Sequence, residues 1–254
     1  MKSAVLVFAK VPRIGFVKTR LVEGAISDFD AYLLSKSFII DVLNQVQNSN
    51  VDCIFFSLGD DQFIDSNDLG KILDIDISKY TKLSSIFHKQ SDGTFGERME
   101  DAIKSIYQQF EGKLIILGMD SPHIQPNRIN KALNQLEDFD LVVGPGLAGG
   151  IYLIGFSRLL LLDEFHLCFE GVELLKFTKW TKKHNYSCWL LPELSDIDTP
   201  DDLIGLIAWI ETAKIIGQSN KIQLPNNTIK LISQLKLEII TPDNNRDKKI
   251  IKGK

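Results

Sequence analysis

The chain has 254 residues, of which 44% are hydrophobic and 24% charged, so it has enough apolar material for one large domain and is neither disordered nor fibrous in composition. Its formal net charge of -4 comes from 29 basic and 33 acidic residues, a mixed surface with no field strong enough to draw in a polyanion. Nucleic acid is excluded as a partner on that ground. A membrane is excluded because no apolar stretch reaches the eighteen or so residues a spanning helix needs.

Taken in chain order, short apolar runs alternate with amphipathic stretches. Ala4 to Ala9 reads as a first strand, cut off by Lys10 and Pro12 and too short for a signal sequence. Phe29 to Gln47 has helical periodicity, and Val51 to Ser57 is a second strand. Signals are mixed from Asp60 to Phe87, where no element is assigned. Beyond it lie a helix over Gly96 to Phe110, a strand over Lys113 to Gly118 and a helix over Asn127 to Leu136. Strands over Leu141 to Gly144 and Ile151 to Gly155 follow, then a helix over Val172 to His184, a strand over Ser187 to Leu191 and a helix over Pro200 to Ala213. Strands alternating with crossover helices predict parallel pairing and a doubly wound sheet. One large domain is expected over 1–217 and a C-terminal extension over 218–254, with one apolar run at Ile229 to Ile240 and a frayed tail from Thr241. The three cysteines, Cys53, Cys168 and Cys188, form no metal spacing and no disulfide framework, which suits a reducing cytoplasm.

In a doubly wound sheet, ligands bind beyond the carboxyl ends of the strands, so the loops there are the places to look for chemistry. The first such loop, Lys10 to Arg20, has four cations in eleven residues. Pro12 and Gly15 shape it, and Lys18 and Arg20 offer a point charge and a fork to phosphate oxygens. A solvated basic turn is the bland alternative. Asp120, in the run Gly118 to Pro122, is a carboxylate fixed at a strand end and suited to magnesium, or else the cap of the next helix. In Asp196 to Leu203, Thr199 and Pro200 make a helix cap and Asp201 and Asp202 suit the helix dipole, leaving Asp196 and Asp198 for a second metal carboxylate.

Gly93 and Gly96, with Arg98 behind them, can admit a nucleobase or phosphate at a helix start, a weak signal by itself. Four glycines between Gly144 and Ile151, Gly149 and Gly150 among them, read as a wall of an acceptor pocket. His88, His123, His166 and His184 have no metal spacing and are assigned surface or packing roles, with His123, near Asp120, the one of interest.

These motifs together resemble the nucleotide-diphospho-sugar transferase-like family known as domain of unknown function 2064, or glycosyltransferase-like transferase 1. The resemblance lies in FAKVPRIGFVKTRL (Phe8 to Leu21), GTFGERM (Gly93 to Met99), LGMDSP (Leu117 to Pro122), GPGLAGGIYLIG (Gly144 to Gly155) and DIDTPDDL (Asp196 to Leu203). It implies a GT-A-type fold, a three-layer α/β/α sandwich with a mostly parallel twisted sheet, related to molybdenum-cofactor and phospholactate guanylyltransferases. It further implies Mg2+ or Mn2+ on Asp120 and Asp198, with phosphates on Lys18 and Arg20. Ala148 stands where the family usually has Asp, and the family's Trp-Gly-Thr-like segment is replaced near Cys168 to Gly171.

The expected activity is Mg2+-dependent nucleotidyl transfer from a nucleoside triphosphate to a small phosphorylated or hydroxyl acceptor, with Lys18, Arg20 and Asp120 as catalytic residues. Glycosyl transfer from a nucleotide sugar is the alternative on the same fold, and a catalytically silent nucleotide-binding module is the alternative from another class. A homodimer is left open as the assembly.

Overall fold

The structure, a computed structural model, describes residues 1–22, 26–59, 65–241 and 248–253. It divides into two compact units. The first comprises Met1–Val11, Val46–Gly118 and Pro126–Ser195; the second comprises Pro12–Gln45, Met119–Gln125 and Asp196–Lys254.

The first unit is built on a seven-stranded sheet of β1 (Ser3–Lys10), β2 (Cys53–Gly59), β3 (Leu83–Lys89), β4 (Lys113–Leu117), β5 (Leu141–Pro145), β6 (Ile151–Phe156) and β7 (Cys188–Leu190). The strand order is β3-β2-β1-β4-β6-β5-β7. β1 pairs in parallel with β2 and β4, β2 with β3, and β5 with β7. Strand β6 departs from the expected parallel pairing, running antiparallel to both β4 and β5. The cause is the connection, because only five residues separate β5 from β6 and a parallel crossover needs a dozen or more.

Four helices belong to this unit: α2 (Ser66–Leu73), α3 (Phe95–Tyr107), α4 (Pro126–Gln135) and α5 (Glu173–Lys183). Strand residues alternate between the two sheet faces. Ala4, Leu6, Phe8, Leu114, Ile116, Leu141, Val143, Ile154 and Phe156 point to one face, where Met99, Ala102, Ile103 and Ile106 of α3 and Phe177 and Trp180 of α5 complete an apolar core. On the other face α4 packs against β4, and Leu136, just beyond α4, lies close against Gly155. Val5, Val7, Ile115 and Leu117 are also buried, so these strands are apolar along their whole length, as a sheet with helices on both faces requires. All of α2 and most of β3 fall within the stretch the sequence left unassigned. Phe87, the last apolar residue of β3, is followed by His88 and Lys89, and the alternation is too brief to read as a strand.

The second unit holds a single 3-10 turn at Thr19–Leu21, the helices α1 (Asp28–Gln47, its last two residues in the first unit), α6 (Pro200–Asn220) and α7 (Asn226–Gln234), and a hairpin of β8 (Leu237–Ile240) and β9 (Lys249–Lys252). Its core joins Leu34 and Phe38 of α1 to Ile197, to Leu203, Leu206 and Ile210 of α6, and to Leu231 and Leu237. Residues of the expected C-terminal extension therefore belong to this core, and α6 runs across the expected boundary at 217. Asp41 on α1 accepts hydrogen bonds from the backbone N–H of Asn227 (3.0 Å) and of Thr228 (2.7 Å), occupying donors that the start of α7 leaves open. Residues 249–252, expected to fray, are paired instead, and Lys252 donates to Asp30 at 2.6 Å. Residues 242–247 and 254 of that tail lie outside the described residues.

Candidate functional site

The charged centre of the molecule lies wholly within the second unit, on three segments: Pro12 to Val22 after β1, Met119 to Gln125 after β4, and Asp196 to Thr199 before α6. Lys18 is at its middle. The Lys18 Nζ lies 2.5 Å from Asp120 Oδ1 and 2.8 Å from Asp198 Oδ1, and its side chain is only 5% exposed. Its ammonium also sits 5.8 Å from the centre of the Phe38 ring. Arg20 reaches the second oxygen of Asp198, Nη2 to Oδ2 at 2.6 Å, from a side chain 71% exposed. Asp198 thus has a cation on each oxygen. Asp120 and Asp198 keep 47% and 32% of their side chains open to solvent, so two carboxylates share one buried ammonium at an accessible place.

Local sequence explains how these groups are held. Gly15 adopts a φ of +79°, a left-handed conformation, in the turn where Phe16 N–H donates to Arg13 O at 3.1 Å. Lys18 itself has φ 51° and ψ 33°, left-handed and unfavourable for a residue with a Cβ, just before the 3-10 turn. The Asp120 carbonyl accepts from Ile197 N–H at 2.8 Å, and Ser121 Oγ donates to Asp196 Oδ1 at 2.7 Å, so the acidic segments are tied together by backbone and side chain. Asp202 accepts from Thr199 N–H and Oγ1, both at 2.8 Å, and from Asp198 N–H at 3.1 Å. This is the helix cap expected at Thr199, and it also fixes the backbone of Asp198.

The electrostatics follow from this crowding. Burial alone would lower the pKa of the Lys18 ammonium, yet the neighbouring Asp120 and Asp198 charges outweigh it and hold the proton more firmly than usual. Burial pushes the Asp198 carboxyl upward, but attraction to Lys18 and then Arg20 brings it below its ordinary value. Asp196 goes the other way. Burial, reinforced by the Asp120 and Asp198 charges, pushes it up to about 6 against the hydrogen bond from Ser121 and the Lys18 charge.

The donor set suits a divalent cation in one respect: Asp120 and Asp198 converge on a single positive group, and magnesium is commonly held by one or two carboxylates with phosphate oxygens completing its shell. No set of three or more His, Cys, Asp or Glu residues able to hold a metal occurs among the described residues, so water or nucleotide oxygens would complete the shell of an ion here.

The remaining sequence candidates lie in the first unit, except for Pro12, which is buried at the start of the second. Lys10 ends β1, exposed and in register with Gly59. Gln90, just after β3, was not singled out from the sequence. Its amide donates to Ala9 O at 3.2 Å and Ser57 O at 3.0 Å, and its oxygen accepts from Arg98 Nη1 at 2.6 Å, so it orients Arg98 near the ends of β1 and β2. A lone glutamine after a strand carries no sequence signal that would have found it.

Packing accounts for one glycine of the GTFGERM run. A Cβ on Gly96 would lie 2.0 Å from the His166 carbonyl, so α3 can approach the 165–169 segment only without a side chain there. Gly93, with φ +121°, leads into the helix start where Thr94 and Glu97 form a reciprocal cap. Gly149 and Gly150 close the loop after β5, beside Ala148, whose φ of 54° is left-handed. The histidines have packing and pairing roles. His123 is buried against Trp209, His88 bridges Ser57 and Asp101, His166 meets Glu100, and His184 stacks on Tyr186.

Residues 65–174 match a family model described as an uncharacterized protein conserved in bacteria, DUF2064. The 2-phospho-L-lactate guanylyltransferase of Methanocaldococcus jannaschii is 30% identical over 109 residues, 41% of this chain and 47% of that protein, so the chain spans about half the length of this relative. The protein of the same name from Methanocaldococcus vulcanius is 24% identical over 205 residues, covering 78% of this chain and 82% of its own. Among solved structures, one from Desulfovibrio desulfuricans G20, described as a nucleotide-diphospho-sugar transferase by assignment, superposes with a TM-score of 0.74 and 25% identity over 92% of this chain and 98% of that one. The strand order and this superposition give the chain the GT-A-type fold of the Desulfovibrio protein, and residues 65–174 are similar to the DUF2064 family model.

Proposed function

We propose that this chain is a nucleotidyltransferase, moving a nucleotidyl group from a nucleoside triphosphate to a small phosphorylated or hydroxyl acceptor. The observation that carries this reading is the convergence of Asp120 and Asp198 on one cation, with Arg20 beside them. An oxygen of the acceptor attacks the α-phosphorus in line, the bond to the bridging oxygen of the β-phosphate breaks, and pyrophosphate leaves. Lys18 and Arg20 face the negative charge that gathers on the phosphoryl oxygens, and positioning with charge stabilisation supplies the rate. Asp120 and Asp198 would hold Mg2+ or Mn2+, which when bound polarises the phosphates and neutralises the leaving group.

Lys10, Pro12, Gly15, Gly93, Arg98, Gly149 and Gly150 are the proposed nucleotide contacts beyond the charged centre, Gly96 being taken up by packing against His166. The relatives named as guanylyltransferases make GTP the first nucleotide to try and 2-phospholactate the first acceptor, followed by other small phosphorylated and hydroxyl acids. No helix among the described residues is long and apolar enough to cross a membrane, and all three cysteines are unbonded, which suits action in the cytoplasm. Pyrophosphate release in a matrix of the four triphosphates and these acceptors tests the proposal. We expect one triphosphate to support release, and Asp198→Asn to slow it at least about a hundredfold; no release with any combination contradicts it.

A second reading, glycosyl transfer from a nucleotide sugar, is favoured by the description of the Desulfovibrio structure. It gains if a nucleotide sugar raises the melting temperature more than the matching triphosphate does.

A further inference from the structure

The Lys18 ammonium stands on both carboxylates that would grip a metal, and we propose that it is a resident placeholder cation: the divalent ion enters only when phosphates draw Lys18 away, so metal and nucleotide bind as a coupled pair. This rests on the reading of Asp120 and Asp198 as metal ligands.

Three observations support it. The same Oδ1 of Asp120 and Oδ1 of Asp198 that would face an ion already meet Lys18 at 2.5 Å and 2.8 Å, and an ammonium and a divalent ion cannot share that space without strong repulsion. The competitor is tethered, because Lys18 is almost wholly enclosed, with Phe38 near its ammonium, and so competes as an intramolecular cation at high effective concentration. Its backbone is held at φ 51°, a conformation unfavourable for a residue with a Cβ that persists only where surrounding contacts enforce it. Drawing the side chain away opens both ligands at once.

Phosphate oxygens are the natural trigger. They offer the ammonium the charge it loses when it leaves the carboxylates, and they complete the ion's shell in the same event. The coupling must be reciprocal, so metal also strengthens nucleotide binding.

The test is a titration of free Mn2+ followed by its electron paramagnetic resonance signal, without nucleotide, on the wild type and on Lys18→Met, which keeps the length and removes the charge. We expect Lys18→Met to bind Mn2+ about tenfold more tightly, a difference equivalent to about 1.4 kcal/mol. Equal or weaker Mn2+ binding by a folded Lys18→Met overturns the placeholder while leaving the metal site standing. No Mn2+ binding by either form, with or without pyrophosphate, overturns the metal site as well. Should Lys18→Met fail to fold, the wild type still decides the matter through the 15N resonance of the ion-paired Lys18 Nζ. That resonance should persist in millimolar Mg2+ and shift when pyrophosphate is added; a full shift with Mg2+ alone, or none with both, overturns the proposal.

Discussion

The two units of this molecule solve different problems. In the first, a large apolar core joins the sheet to α3 and α5, and Phe165 is enclosed by Phe156, Phe169, Phe177 and Trp180 with ring centres between 5.1 Å and 6.5 Å apart. In the second, a smaller apolar core holds three loop segments on which Lys18, Arg20, Asp120, Asp196 and Asp198 crowd together. These apolar contacts of the first unit favour folding and are themselves indifferent to pH. Those of the second concentrate like charges and set a left-handed lysine among them, an arrangement with a cost of its own. The difference teaches that stability and reactivity can be separated experimentally here.

The largest effect should come from the apolar side. Phe165→Ala leaves a cavity among four aromatic rings and should cost about 3–5 kcal/mol in denaturant unfolding, with Mn2+ affinity unchanged in the surviving native protein. A lost Mn2+ site in that variant would break the separation.

Next comes a change that should stabilise. The Asp196 carboxyl, raised to about 6 in the folded protein from an ordinary 3.8, keeps a proton that the unfolded chain releases, so stability falls as pH rises from about 4 to 6 and stays lowered above. Asp196→Asn keeps an acceptor for Ser121 and removes that deficit. In the presence of a chelator it should be more stable than the wild type at pH 8, on the order of 1–3 kcal/mol, with the gain vanishing near pH 4. A gain of the same size at both pH values would contradict the electrostatic cause.

The smallest effect concerns Ala148. Its φ of 54° suits glycine better, so Ala148→Gly should raise stability by at most about 1 kcal/mol in thermal unfolding, the greater freedom of the unfolded chain offsetting part of the relief. A clear loss of stability would mean that the alanine methyl makes a contact the loop depends on.

Much of this contrast was legible in the sequence, more so for the first unit. Its strands are buried on both faces, and apolar runs such as Ala4 to Ala9 and Leu114 to Leu117 are visible without any partner. What could not be read from periodicity was direction, since β6 carries the same apolar pattern as the parallel strands of the sheet and only the five-residue link to β5 reveals that it turns back. The run Ile229 to Ile240 reads as one element, yet Leu235 and Lys236 break it into α7 and β8, and Lys236 takes a left-handed φ of 50°. In the candidate site, charge and position after a strand pointed to Lys18, Asp120 and Asp198 separately. Their direct pairing was not foreseen, because local sequence sets each residue's loop but not which oxygen an ammonium will face across 180 positions of chain. Gln90 escaped for a related reason: it acts on Arg98 through contacts with two strand ends that no local pattern records.

The proposed function depends on Asp120 and Asp198 holding one ion between them. Calorimetric titration of Mn2+ into the protein saturated with a non-hydrolysable GTP analogue tests it directly, on the wild type, Asp120→Asn, Asp198→Asn and the double variant. We predict one Mn2+ per wild-type chain, at least tenfold weaker binding in each single variant, and a double variant little worse than either, because both changes remove the same site. Wild-type affinity retained in both single variants would contradict the claim.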